Sequence, residues 1–341
     1  MNHRLLGRTG VSVSQMCLGA MMFGAWGNRD HDESIRIIHA ALDAGINFVD
    51  TADVYAQGES EEIVGKALQG RRDDVIVATK FHGAMGDDPN RQGSSRRWIM
   101  RAVEDSLRRL QTDWIDLYQV HRPDPRCDVD ETLGALSDLV RQGKVRYIGA
   151  STFPASQIVE AQWVARERGF QRFVTEQPAY SMLVRRIEDD ILPTCQRHGM
   201  GVLSYSPLTG GWLSGRWRKD SGQQASSRAS RLPERFDLSQ PANQRKLDAV
   251  EALAQLAEET GITLIQMAIA FVLNHPAITS AIIGPRTMEQ FEGQLAAADV
   301  VLETRVLNRI DEIVAPGTTI NPVDNSFDNP ALRPSARRCT P

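Results

Sequence analysis

Short apolar runs and longer amphipathic stretches take turns along this chain. The runs begin near Met16, Asn47, Val75, Ile115, Val145, Val174, Val202 and Ala281 and last only a few residues each. Runs this short and largely apolar predict parallel strands covered on both faces. Between them, apolar positions recur at helical spacing over 32–44, 59–69, 95–110, 129–142, 155–168, 187–198, 243–260 with 263–274, and 287–298. Eight strands alternating with helices predict an α/β protein whose parallel sheet closes into a (β/α)8 TIM barrel. An open doubly wound sheet is the competing arrangement. It is weakened because the glycines at 19, 24 and 27 lack the Gly-x-Gly-x-x-Gly spacing after the first strand. Ahead of the first run, Arg8-Thr9-Gly10 predicts a turn in an N-terminal hairpin.

Three stretches break the alternation: 82–94, 208–241 and 316–341. The first two leave the same end of the predicted sheet and read as long loops at the C-terminal face of the barrel, where lids are found. The domain reading is therefore a barrel over 1–315 and a C-terminal tail over 316–341. The tail is expected to be partly disordered or packed on the barrel, with its last part the least ordered.

Composition narrows the function classes. With 341 residues, 41% apolar and 24% charged, the chain suits one large domain with a substantial core. A net charge of -4 argues against nucleic acid and anionic membranes as partners. No apolar run approaches the roughly 20 residues of a membrane span, and the first residues lack a signal-peptide core. Cys17, Cys127, Cys195 and Cys339 are far apart and share no metal-type spacing, so free thiols in a cytoplasmic protein are expected, with no metal site. No heptad pattern indicates an oligomeric state.

The candidate chemistry sits where the strands end. Asp50, Lys80 and His121 each close an apolar run, and Tyr55 follows Asp50 by a short step. Taken singly, each has an ordinary structural role. Three successive strands ending in ionisable groups instead predict a site at the C-terminal face. A tyrosine is a poor acid near neutral pH, and a neighbouring ammonium improves it. Lys80 supplies that charge, Asp50 keeps it charged in a dry pocket, and His121 orients a carbonyl as a neutral donor. Protonating a carbonyl oxygen does not reduce the carbonyl, so the group implies a hydride-donating nicotinamide cofactor. A metal-dependent hydrolase would need more clustered ligands than Asp50 and His121. Phe23, Trp26 and Phe81 either line an apolar pocket with Tyr55 and His121 or are loop aromatics without a role. The excess of arginine in 208–241 either steers an anion or is a solvated loop.

The segments Asp50-Thr51-Ala52-Asp53-Val54-Tyr55, Ala78-Thr79-Lys80, Leu117-Tyr118-Gln119-Val120-His121, Tyr147-Ile148-Gly149-Ala150-Ser151, Glu176-Gln177-Pro178-Ala179-Tyr180 and Tyr205-Ser206-Pro207-Leu208 resemble the aldo-keto reductase family, in family order. The resemblance is to the bacterial type near the potassium-channel β-subunit branch. It implies that Asp50, Tyr55, Lys80 and His121 form a catalytic tetrad, with NADPH bound extended and a small-molecule aldehyde or ketone reduced. It further implies that Ser151, Thr152 and Gln177 hold the nicotinamide carboxamide, where the family's usual Ser-Asn pair is Ser-Thr here. Tyr205 is implied to stack on the nicotinamide, and Ser206, Pro207, Leu208, Thr209, Gly210 and Gly211 to wrap the pyrophosphate, with Asp50 also at the cofactor. Gly284, Arg286, Gln290 and Gln294 are implied around the 2′-phosphate and adenine; the family's Glu-Asn pair is Gly293-Gln294 here. The same resemblance brings an alternative, an NADPH-binding regulatory or redox-sensing subunit with weak turnover. In that branch the position of His121 is typically Asn, which favours an enzyme here.

Overall fold

The computed structural model describes residues 1–221, 229, 231–325 and 334–338. Strands β1 (His3–Leu5) and β2 (Ser12–Ser14) pair antiparallel as the predicted hairpin. The next eight strands are β3 (Met16–Gly19), β4 (Phe48–Asp50), β5 (Ile76–Phe81), β6 (Ile115–Val120), β7 (Val145–Ser151), β8 (Thr175–Gln177), β9 (Gly201–Ser204) and β10 (Ile278–Ile283). They pair in sequence order, all parallel, and β10 closes on β3. The predicted barrel is the observed one.

Two departures from the predicted elements have local causes. Strand β10 starts three residues before Ala281, because the polar Thr279 and Ser280 are satisfied inside the sheet: Thr279 Oγ1 accepts from Val202 N and Ser280 Oγ donates to Ser14 O. A helix over Thr304–Ile313 is absent from the sequence prediction; it buries Val306 and Ile310 and packs Leu307 and Ile313 beside them. The expected loss of order late in the tail falls on 326–333 and 339–341, which lie outside the described residues, as does Cys339. Cys17, Cys127 and Cys195 are free thiols. Among the described residues no single helix is long and apolar enough to cross a membrane, and no group of three His, Cys, Asp or Glu side chains is placed to hold a metal ion.

The two-residue period of the strands sorts the side chains into two cores. Val49, Val77, Tyr118, Ile148 and Ile283 face outward and pack under the helices. Cys17, Phe48, Ala78, Leu117, Leu203 and Ile282 face inward, joined from below by Leu6 and Val13. The hairpin thus plugs the N-terminal end of the barrel. Arg4 fixes it there by donating to the carbonyl oxygens of Ile278 (2.6 Å) and Leu273 (2.8 Å).

Candidate active site

The inward phase that is apolar at the bottom turns polar at the top. Asp50 lies two residues beyond Phe48, Lys80 two beyond Ala78, Gln119 two beyond Leu117, and Tyr205 two beyond Leu203. Parallel register aligns them, with Asp50 opposite Ala78, Lys80 opposite Gln119 and Ser151 opposite Gln177. The site is the continuation of the barrel's own alternation.

Lys80 is fully buried, and its ammonium has three N–H groups for three acceptors. It donates to Asp50 Oδ1 at 2.5 Å, to Thr51 O at 2.8 Å and to the Tyr55 hydroxyl at 3.4 Å. Burial works against that charge, but Asp50 and Tyr55 outweigh it and hold the Lys80 pKa above its ordinary value. The second oxygen of Asp50 accepts from Gln177 Nε2 at 2.9 Å and Gln119 Nε2 at 3.3 Å. Each charge thereby meets the condition for staying charged in a dry interior.

Because the Tyr55 oxygen accepts from Lys80, its own proton is directed elsewhere. The ring is half-buried, 5.7 Å from the His121 ring in an edge-on arrangement and 6.0 Å from Trp26. An adjacent ammonium lowers the pKa of a phenol, and the charge of Lys80 does act on Tyr55 in that direction. Burial is the larger effect, however, and leaves the hydroxyl above its ordinary 10. Burial, followed by the charges of Lys80 and Arg122, holds the His121 imidazole well below its ordinary 6.5, so the ring is neutral. Asp53, in the same loop as Tyr55, is pushed well above the carboxylate range by burial and by Glu61.

Left-handed backbone gathers around this mouth. Non-glycine residues with positive φ are Ala56 (48°), Gln57 (56°), His82 (139°), Thr152 (63°), Ser206 (57°) and Thr209 (47°), all in loops leaving strand ends; Gln111 is a helix cap. Backbone in this region costs an L-residue about 1–2 kcal/mol. Such strain collects at functional sites.

The residues implied to hold a cofactor meet the requirements of a nicotinamide dinucleotide. The Tyr205 hydroxyl is buried without a hydrogen-bond partner among the described residues, and its ring caps the inward core. Ser206, Thr209, Gly210 and Gly211 all have positive φ, which turns successive N–H groups into a concavity suited to phosphate. Ser151 Oγ donates to Gln177 O at 2.9 Å. The Thr152 hydroxyl accepts from Arg122 Nη1 and lies 3.3 Å from Ser151 Oγ, to which it can donate. Arg286 is half-buried at the start of the helix Met288–Leu295, with no carboxylate in ion-pair distance among the described residues. Gln290 Oε1 accepts from Arg286 N at 3.0 Å and so braces that turn; Gly284 is exposed beside it and Gln294 is buried one helical turn on.

Two of the pocket residues need correction. Phe81 follows Lys80 by one residue, so strand alternation turns it outward, where it is fully buried against Tyr118 at 4.9 Å between ring centres. Phe23 is likewise fully buried in the outer core. Neither has surface to offer a substrate, whereas Trp26, Tyr55 and His121 are only half-buried. Sequence reasoning missed Gln119, which braces Asp50, and Glu176. The latter faces the outer core, fully buried and without a cation. Its Oε1 accepts from Phe153 N at 3.1 Å, Oε2 has no partner among the described residues, and burial raises its pKa to about 8. A carboxylate in the middle of a buried strand, next to Gln177, was the signal available.

The family model for the aldo/keto reductase family matches residues 15–315. The uncharacterized oxidoreductase YrpG of Bacillus subtilis is 40% identical over 324 residues, covering 92% of this chain and 96% of that protein. A rice protein named "Probable voltage-gated potassium channel subunit beta" (Oryza sativa subsp. japonica) is 36% identical over 322 residues, 92% of this chain and 97% of its own. The versiconal hemiacetal acetate reductase of Aspergillus parasiticus is 32% identical over 342 residues, 93% of this chain and 98% of its own.

Proposed function

The chain belongs to the aldo/keto reductase family, and from that premise we propose that it reduces an aldehyde or ketone to the alcohol with NADPH, Tyr55 supplying the proton. The observation that carries this reading is the saturated Lys80 ammonium. With its three N–H groups spent on Asp50, Thr51 and the Tyr55 oxygen, the tyrosyl proton is left facing the pocket. The high Tyr55 pKa means that proton is present at neutral pH. As negative charge builds on a carbonyl oxygen, Tyr55 donates to it, and Lys80 stabilises the phenolate that remains. The neutral His121 ring donates a hydrogen bond to the same oxygen and fixes its direction. Trp26 and His121 flank the Tyr55 ring, their ring centres 6.0 Å and 5.7 Å from its own.

The nicotinamide, when bound, supplies the hydride. Ser151, Thr152 and Gln177 would hold its carboxamide, Tyr205 would pack on its ring, residues 206–211 would take the pyrophosphate, and Gly284, Arg286, Gln290 and Gln294 the adenosine 2′-phosphate end. A panel of aldehydes and ketones assayed first with NADPH and then with NADH tests the reading. Turnover that prefers NADPH supports it. Tight NADPH binding with no turnover of any carbonyl would favour a regulatory subunit of the kind that the rice relative's name describes.

A further inference from the structure

Two guanidinium groups flank the pocket without a carboxylate partner among the described residues. Arg122 follows His121 directly and is half-buried. Its Nη1 donates to His121 O at 3.2 Å and to Thr152 Oγ1, which pins the head group across the ends of β6 and β7. Its charge reaches the reacting groups, acting on both Tyr55 and His121. Arg231 lies on the other lip, 5.8 Å from the centre of the Trp26 ring, with Nη2 3.5 Å from Trp26 O. Contacts thus run in a line from Arg231 through Trp26, Tyr55 and His121 to Arg122.

Two arginines close by are held by carboxylates instead. Arg126 pairs with Asp124, and Arg218, in the same loop as Arg231, pairs with Glu251 and Glu258. Inside the pocket Lys80 is neutralised by Asp50. Along the Trp26–Tyr55–His121 row, the cations without a carboxylate partner among the described residues are Arg122 and Arg231. A guanidinium held by two bonds to neutral oxygens still offers planar N–H groups matched to a carboxylate.

We propose that the carbonyl substrate carries a carboxylate at its far end, bound by Arg122 with Arg231 assisting across the mouth while the carbonyl lies at Tyr55 and His121. This deepens the reductase reading and rests on it. The test compares 4-carboxybenzaldehyde with its neutral ester, methyl 4-formylbenzoate, using NADPH, in the wild type and in Arg122→Gln, Arg122→Lys and Arg231→Gln. A charge-assisted contact implies roughly a ten- to hundredfold higher kcat/KM for the acid in the wild type. Arg122→Gln should bring the acid-to-ester ratio down at least about tenfold, Arg122→Lys should recover part of it, and Arg231→Gln should lower it less.

Equal turnover of acid and ester by the wild type overturns the inference and leaves the reductase reading standing. So does a ratio unchanged in Arg122→Gln while both rates fall together, since Arg122 would then only hold Thr152 in place. Weaker NADPH binding with an unchanged ratio also overturns it, because Arg122 would then serve the cofactor. Reduction of neither aldehyde, nor of any carbonyl in the panel, overturns both. Should Arg122→Gln not fold, the wild-type ratio is followed with salt. A fall toward one at high ionic strength supports the inference and a flat ratio overturns it.

Discussion

Replacing Glu176 by glutamine should flatten the pH dependence of stability. The carboxyl is fully buried on β8 with no cation in contact, and burial raises its pKa from the ordinary 4.5 to about 8. The folded state therefore holds this proton more tightly than the unfolded chain does. The stabilisation linked to it is complete below about pH 4.5, declines as pH rises, and is gone above about pH 8. Each pH unit inside that window costs about 1.4 kcal/mol, so the wild type should lose about 3 kcal/mol from this group between roughly pH 5.5 and 8. Glutamine keeps an oxygen for the Phe153 N–H and has no proton to lose. Its second amide group sits where Oε2 has no partner, a position the neutral carboxyl also leaves unpaired. The variant should therefore be close to the wild type at low pH and gain on it steadily toward high pH. Urea unfolding followed by fluorescence at several pH values, in parallel for both proteins, measures the difference. Profiles that stay parallel across the window would refute a buried neutral carboxyl at this position.

Tyr55→Phe should keep NADPH affinity, read by cofactor fluorescence, while turnover falls roughly 100- to 10,000-fold, the range of a lost general acid; near wild-type chemistry would remove Tyr55 from that role. Lys80→Met strands Asp50 in a buried site, so stability should fall by about 3–5 kcal/mol in chemical unfolding and turnover should collapse with it. Arg286→Ala should weaken NADPH by about ten- to hundredfold, the value of a charge-assisted bond, with NADH nearly unchanged; equal losses in titrations of both cofactors would assign Arg286 to the fold of its turn. Thr152→Asn places a residue that tolerates the left-handed conformation at φ 63° and should raise stability by about 1 kcal/mol, measured as a shift in unfolding midpoint at constant slope.

The sequence showed the barrel because a covered parallel strand is a short, largely apolar run, and most of the barrel strands are of that kind, the all-polar Thr175-Glu176-Gln177 of β8 being the exception. The last was truncated at Ala281 since Thr279 and Ser280 look like loop residues until their hydroxyls meet β9 and the hairpin. The tetrad was legible because Asp50, Lys80 and His121 interrupt such runs. What was not legible depended on side-chain direction. Phe81 stands next to Lys80 in the chain and on the opposite face of the sheet. Arg122 stands next to His121, and its place between two strand ends appears only when Thr152 is set beside it. The sign of the Tyr55 shift was also out of reach, because it is a balance between a charge that can be named from sequence and a burial that cannot.

The hairpin that plugs the barrel has a consequence for how the chain is made. Arg4 bonds to oxygens 269 and 274 residues away, and Ala281 N donates to Gln15 O where β10 meets the start of the barrel. Contacts of such separation are slow to form, and during synthesis they must wait for their partners to leave the ribosome. Residues 1–15 therefore wait, with Leu6 and Val13 uncovered, until the strands up to β10 have been made. An unfinished barrel is an open sheet with two exposed edges, β3 and whichever strand has most recently emerged. Nascent chains stopped before residue 278 should need protection from association that the completed chain does not.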